Sequence, residues 1–310
     1  MWRNIGPSGP PSPRRCGETP RLVHEMSIVR VNGIDFHVED HGSGTPLVLL
    51  HGFAGSSASW SPLIRELTGL RRVIAIDIIG HGASSAPEDP SHYVFEQALH
   101  DLAEVTAQLG IARAAWLGYS MGGRLALGMA VDHRERVSSL ILESATAGIQ
   151  HEKERLQRIE ADQELATRIE EVGTEAFVQE WERLPIWESQ RALPADVLQF
   201  QREIRLRNCA VGLANSLRGM GQGAQPSYWD RLDEINVPVL LIPGALDRKF
   251  VGIAGQMGIR IADAELAVVP DAGHAVHLER PGEFLEVVLE FLAKCDHPKT
   301  SYSQEKAEWT

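Results

Sequence analysis

Gly118-Tyr119-Ser120-Met121-Gly122 constrains this chain more than any other segment. The apolar run 114–117 before it reads as a buried strand, and the run 123–130 after it reads as a helix. A serine between strand and helix sits on a sharp turn that pushes its hydroxyl out of the sheet. Glycines stand on either side because larger side chains would collide in so tight a turn. The backbone N–H of Met121 then faces an oxyanion forming beside the serine. The segment therefore predicts an α/β chain with a reactive hydroxyl at Ser120.

The rest of the chain supplies the alternation this requires. Two short β-rich runs, 27–31 and 34–38, flank Asn32-Gly33, a strong hairpin signal. Buried strands follow at 46–50, 73–78, 137–142, 237–242 and 267–269, with helices at about 93–109 and 281–293. Apolar strands alternating with helices predict a mainly parallel, doubly wound sheet. Between about 146 and 228 the alternation stops, and a helical, charged pattern carries Trp181 and Trp187 among many Arg and Glu. We read 146–228 as a helical cap over the strand ends, where ligands of open α/β sheets bind. The core then comprises 27–145 and 229–295.

The ends differ. Residues 1–26 are rich in Pro, Gly, Ser and Arg, have no apolar stretch of the signal-peptide kind, and read as a disordered extension. Residues 296–310 read as a polar tail. A formal net charge of -12 argues against nucleic acid or an anionic membrane as the main partner. No apolar stretch approaches the roughly 20 residues a membrane helix needs. Three scattered cysteines, Cys16, Cys209 and Cys295, fit a reduced, cytoplasmic setting.

A serine needs a histidine beside it and an acid behind the histidine. On a strand–serine–helix turn of this kind the chain order is Ser, acid, His. Asp247 follows the strand at 237–242, and His274 follows the one at 267–269. Asp247 could simply cap the helix after it, and Glu143 is the other position where such an acid can sit. His274 and His277 look like metal ligands but lack a third at suitable spacing. The second oxyanion donor is expected in His51-Gly52-Phe53-Ala54, at the N–H of Phe53. Read alone, the cap arginines are solvated or locally paired charges, as Arg158 with Asp162. Tyr119 could donate beside the serine or simply pack, and Trp181 could fill the cap core or wall a pocket.

His51-Gly52, Gly80-His81-Gly82, the Ser120 turn, Asp247 and His274 resemble the α/β-hydrolase family over about 27–295. That resemblance implies a mainly parallel eight-stranded sheet flanked by helices, with a cap insertion. A closer resemblance lies in 117–127, Leu142-Glu143-Ser144, Arg155, Arg158 and Asp162. It continues in 177–181, Leu184-Pro185, Arg205, Asn208, 212–221, Lys249-Phe250 and 273–279. These are similar to the 2-succinyl-6-hydroxy-2,4-cyclohexadiene-1-carboxylate synthases of menaquinone biosynthesis. The resemblance implies a lyase that eliminates pyruvate, with Ser120, His274 and Asp247 as a proton relay and no metal or organic cofactor. It further implies an oxyanion hole at Phe53 and Met121, and polycarboxylate binding by Arg158, Arg205, Tyr119, Arg124, Trp181 and Lys249. Two other functions remain open at this point: a Ser-nucleophile esterase or C–C hydrolase, and a non-catalytic binding protein.

Overall fold

The computed structural model describes residues 24–297. The sequence expectations for 1–23 and 298–310 fall outside them. Among the described residues an eight-stranded sheet has the order β1-β2-β4-β3-β5-β6-β7-β8. Strands β1 (His24–Val31) and β2 (Ile34–Gly42) form the hairpin. Its turn residues Asn32 and Gly33 both take positive φ, 50° and 84°, as a type I′ turn demands. Residues 24–26, expected in the extension, instead belong to β1: His24 pairs with His41 and Met26 with Glu39. Sheet pairing outweighs local composition there.

From β3 (Thr45–Leu50) and β4 (Arg71–Ile76) onward the sheet is parallel. β5 (Ala114–Tyr119) lies beside β3, followed outward by β6 (Val137–Glu143), β7 (Val239–Ile242) and β8 (Ala264–Leu266). These strands read as continuous apolar runs because both faces are covered. In β3, Leu47 and Leu49 enter one core and Val48 and Leu50 the other, following the two-residue period of a strand. Helices α1 (Ser61–Thr68) and α9 (Pro281–Asp296) cover the first face; α2 (Phe95–Gln108) and α3 (Met121–Asp132) cover the second.

The last strand differs from expectation. β8 ends at Leu266, and Val269 contributes only an isolated bridge to Gly244. Pro243 has no N–H to give the facing chain, so the regular ladder lapses there and resumes one residue on.

The segment 146–228 carries α4 (Glu152–Trp181), the 3-10 segment Pro185–Ala192, α5 (Ala195–Leu206) and α6 (Ala210–Met220). α4 is broken at Gly173, whose φ of 76° and ψ of 168° no helix allows. Beyond the break Phe177 and Val178 join Ala166, Ile169, Leu213 and Leu217 in a separate apolar core, rooted on Ala54 beneath the cap. Two helices follow the cap: α7 (Arg248–Arg260) after β7, and the single turn α8 (Val276–Glu279) after β8.

The turn at Ser120 is set by close packing. A Cβ at Gly118 would lie 2.3 Å from the Gly122 carbonyl oxygen, and one at Gly122 would lie 2.3 Å from that of Leu50. Backbone cannot yield as a flexible side chain can, so Gly122→Ala is expected to lower unfolding free energy by about 3 kcal/mol or more. Urea denaturation of the purified variant measures this.

Candidate active site

Ser120 has φ 50° and ψ −105°, a conformation that L residues rarely adopt. Its N–H donates to the Glu143 carbonyl at 2.8 Å, which pins the turn between β5 and β6. Its hydroxyl oxygen lies 3.1 Å from Nε2 of His274, and Nδ1 of His274 lies 2.8 Å from Oδ2 of Asp247. A carboxylate only accepts, so the proton sits on Nδ1, leaving Nε2 to accept from the hydroxyl. Asp247 also caps α7, its Oδ1 accepting the Phe250 N–H at 3.3 Å. The capping and acid readings of Asp247 therefore coexist, one oxygen each.

Glu143 is occupied elsewhere. Fully buried, it accepts Nδ1–H of His277 at 2.9 Å and the His277 backbone N–H at 3.0 Å. It does not serve His274. The Tyr119 ring packs against both histidines, at centroid distances of 5.6 Å and 4.8 Å. Burial, and then the Glu143 charge, push the Tyr119 hydroxyl well above its ordinary pKa, so it stays protonated. Among the described residues no three His, Cys, Asp or Glu side chains gather as a metal site would need.

The loop 51–55 is held by a histidine of fixed tautomer. Nε2 of His51 accepts the Ile78 N–H at 3.0 Å, so Nδ1 carries the proton and donates to the Gly52 carbonyl at 2.8 Å. Gly55 donates to the same carbonyl at 3.0 Å. The Phe53 N–H belongs to the same trans peptide and points away from that carbonyl, and Phe53 lines the pocket. Met121 is the first residue of α3, so its N–H has no partner within the helix. Asp77 locks this loop to the next, accepting N–H groups of Ser57 at 2.6 Å and Ala83 at 2.8 Å. Burial alone would raise its pKa, but the His37 hydrogen bond and these donors hold it at about 2.

A pocket of about 180 Å³ opens over Ser120. Of the expected residues it gathers Phe53, Tyr119, Met121, Arg124, Arg158, Trp181, Lys249 and His274 into its lining. Arg124, Arg158 and Lys249 are its charged groups apart from the histidine, and no carboxylate lines it. Arg124 is buried and donates to the carbonyls of Met220 at 2.7 Å and Gly221 at 3.2 Å. Burial, then repulsion from Arg158, lowers its pKa to about 10, which still leaves it charged at neutral pH. Arg158 donates to Asp162 at 2.7 Å, the local pair the spacing suggested, and also to Oε1 of Gln222.

Arg205 is not in this lining. It lies in adjoining cavities behind Trp187, bonded to Glu182 at 3.1 Å and stacked 5.7 Å from the Trp187 ring centroid. Arg155 is also outside the pocket lining. Gln222, Ser216 and Trp187 line the pocket although sequence reasoning assigned them no role. Gln222 stands one residue beyond the 212–221 run, and only its tertiary contact with Arg158 marks it.

Comparison with known proteins places the chain in a family. The α/β-hydrolase fold family matches residues 45–281. A Bacillus subtilis (strain 168) protein, named provisionally as a 2-succinyl-6-hydroxy-2,4-cyclohexadiene-1-carboxylate synthase, is 44% identical over 86% of this chain and 98% of its own length. The enzyme of that name from Pectobacterium atrosepticum is 31% identical over 83% of this chain and 98% of its own. Among solved structures, MenH from S. aureus is 34% identical with a TM-score of 0.81, covering 84% of this chain and 99% of its own. The enol-lactonase from Burkholderia xenovorans LB400 is 26% identical with a TM-score of 0.73, covering 86% and 100%.

The loops that shape the site carry an acid sensitivity. Burial and the neighbouring His51 push the His81 pKa down to about 3. An unfolded chain takes up that proton near pH 6.5, so between about 6.5 and 3 the unfolded state binds more protons and stability falls as pH falls. His51 is shifted in the same direction by burial, while His37, raised by its Asp77 hydrogen bond, opposes it. His81→Leu is expected to flatten the slope of unfolding free energy over pH 6 to 4 by up to about 1.4 kcal/mol per pH unit. Denaturant titrations across that range measure it.

Proposed function

We infer the function of this chain from the family to which it belongs, the 2-succinyl-6-hydroxy-2,4-cyclohexadiene-1-carboxylate synthases of the α/β-hydrolase fold. It is a lyase of menaquinone biosynthesis that eliminates pyruvate from 2-succinyl-5-enolpyruvyl-6-hydroxy-3-cyclohexene-1-carboxylate. The observation that carries this reading is the lining of the Ser120 pocket. It holds three cations and no carboxylate, on a chain whose formal net charge is -12. A substrate with three carboxylates fits such a pocket, and a neutral ester gains nothing from it.

In this reading Ser120 acts as a base rather than as an acyl acceptor. Its hydroxyl proton passes to Nε2 of His274, and Asp247 stabilises the imidazolium. The serine oxygen takes the ring proton at the carbon bearing the succinyl ketone. Electrons shift through the ring double bond toward the carbon holding the enolpyruvyl ether, whose C–O bond breaks. The ring becomes the diene, and pyruvate leaves as its enolate, which takes the proton held on His274 to give the enol and then tautomerises to the ketone. Charge building on the ketone oxygen is met by the N–H groups of Phe53 and Met121. No bond to water forms.

Arg124 and Arg158 supply planar donor forks for substrate carboxylates, and Lys249 adds a point charge at the rim. Trp181 and Tyr119 form walls that exclude water. Arg205 acts from behind Trp187. A cytoplasmic setting suits the free thiols of Cys209 and Cys295. Among the described residues no helix is long and apolar enough to cross a membrane.

Purified protein is expected to release pyruvate from the enolpyruvyl cyclohexene carboxylate, followed by a coupled lactate dehydrogenase assay. Fast hydrolysis of simple esters with no pyruvate release would sink the lyase reading in favour of a serine hydrolase. Ser120→Ala should lower kcat by roughly a hundred- to ten-thousand-fold, the usual range for a positioned proton-transfer group. Unchanged turnover would point instead to a different base. Arg158→Met should raise KM about tenfold or more through loss of a charge-assisted contact.

A further inference from the structure

Glu279 is a buried carboxylate that the reaction above does not use. It is the last residue of α8 and is 5% exposed. Among the described residues its carboxylate has only main-chain donors. Oε2 accepts the Gly273 N–H at 2.7 Å, and Oε1 accepts the Ala275 N–H at 3.3 Å. The neighbouring Arg280 turns its guanidinium elsewhere, to the Glu279 main-chain carbonyl at 3.4 Å and to Asp271 at 3.9 Å. A charge taken out of water needs such donors, and hydrogen bonds to an ionised acceptor are the strong kind.

These two N–H groups bracket His274. The Ala275 N–H belongs to the peptide that leaves the His274 Cα, and the Gly273 N–H to the peptide before the one that enters it. Peptides are planar, so one carboxylate holding both N–H groups restricts the short backbone between them, which aims the imidazole. Packing leaves the outer side of this loop open. A cleft of about 350 Å³ lies there, with Ser189, Asp247, Gly273 and His274 in its lining. Residue 273 must be glycine, because a Cβ there would lie 2.1 Å from the Ser189 hydroxyl oxygen. Glycine has the freest backbone, so an open loop with glycine beside the histidine needs a tie. On the inner side the Leu246 N–H donates to the Ala272 carbonyl at 2.9 Å, which joins the Asp247 turn to the same loop.

We propose that Glu279 is a positioning residue for the proton transfer. Its two carboxylate oxygens hold the peptides on either side of His274, and so keep Nε2 at 3.1 Å from the Ser120 hydroxyl while Nδ1 meets Asp247. Glu279 does not line the pocket over Ser120, so it acts through the loop and not on the substrate. A proton passes well only along a short, aligned path, and a misplacement of about 1 Å can cost about a hundredfold in rate. The inference rests on Ser120 and His274 as the reacting pair, and it holds for a lyase and for a hydrolase alike.

Glu279→Gln in the full-length protein tests this, with circular dichroism to check the fold. The amide keeps the length, but its nitrogen meets one of the two N–H groups with another donor. For pyruvate release, kcat is expected to fall about tenfold or more with KM within about twofold, since the pocket keeps its lining. Labelling of Ser120 by a fluorophosphonate should slow in the same proportion; there the serine oxygen displaces fluoride and its proton passes to His274. The low-field proton NMR line of the His274–Asp247 hydrogen bond should shift or broaden. A merely structural cap would lower the melting temperature and leave kcat, labelling rate and NMR line of the folded variant as in wild type, and that result overturns the proposal. A rise in KM with kcat unmoved does the same. If Glu279→Gln does not fold, Glu279→Asp, which keeps the charge and shortens the reach, is judged by the same measures. Wild type gives an independent check: Gly273 and Ala275 amides that exchange as fast as those of exposed loops overturn the proposal. Slower labelling in the variant, with no pyruvate released by wild type, keeps the positioning role and removes the lyase reading. Wild type that neither releases pyruvate nor is labelled overturns both.

Discussion

The approach of α3 to the end of β3 is the constraint on which the site depends. Two glycines let backbone meet backbone at distances no Cβ would permit. That contact forces Ser120 into a positive φ and lifts its hydroxyl clear of the sheet. It also brings three strand ends together. The loop after β3 supplies Phe53, the turn after β5 supplies Ser120 and Met121, and β6 supplies the carbonyl that accepts the Ser120 N–H. A strained residue persists only where its surroundings over-determine it, and here parallel pairing on both sides of β5 does so.

Two acid–histidine pairs stand side by side at these strand ends, and they have different work. Asp247 and His274 face the hydroxyl. Glu143 and His277 are sealed in, with the His277 ring against Trp60, Phe284 and Tyr119. A buried carboxylate must be paired, and His277 gives Glu143 two donors from one residue. The inner pair thus supports the floor on which Tyr119 rests, and the outer pair lies against the Ser120 hydroxyl. The resemblance of the two pairs in sequence hides this division.

Charge is distributed against the average. The chain is acidic overall, yet the charged side chains that line its pocket and the cleft behind it are mostly cationic. Arg124 joins the helix behind the serine to the carbonyls ending α6, so a core charge also anchors the cap. Held in a low-dielectric setting, such cations act on a substrate anion far more strongly than they would in water.

The sequence by itself determined the sheet, the turn at Ser120, the position of the cap, and the order Ser, acid, His. Those features rest on local rules: continuous apolar runs alternating with helical segments, glycine at close approaches, and turn chemistry at Asn32-Gly33. The lapse of the last ladder at Pro243 was readable in principle, since proline cannot donate, but the pairing partner was not. Only the tertiary structure decided that Glu143 serves His277, that Arg205 sits behind Trp187 rather than over Ser120, and that Gln222 meets Arg158. Glu143 and His277 are 134 residues apart, Arg158 and Gln222 are 64 apart, and Arg205 meets Trp187 across two separate cap elements, so no local periodicity encodes these contacts. With the cap packed on Ala54 and Phe53, Arg158 lines the pocket over Ser120 and Arg205 lies behind Trp187.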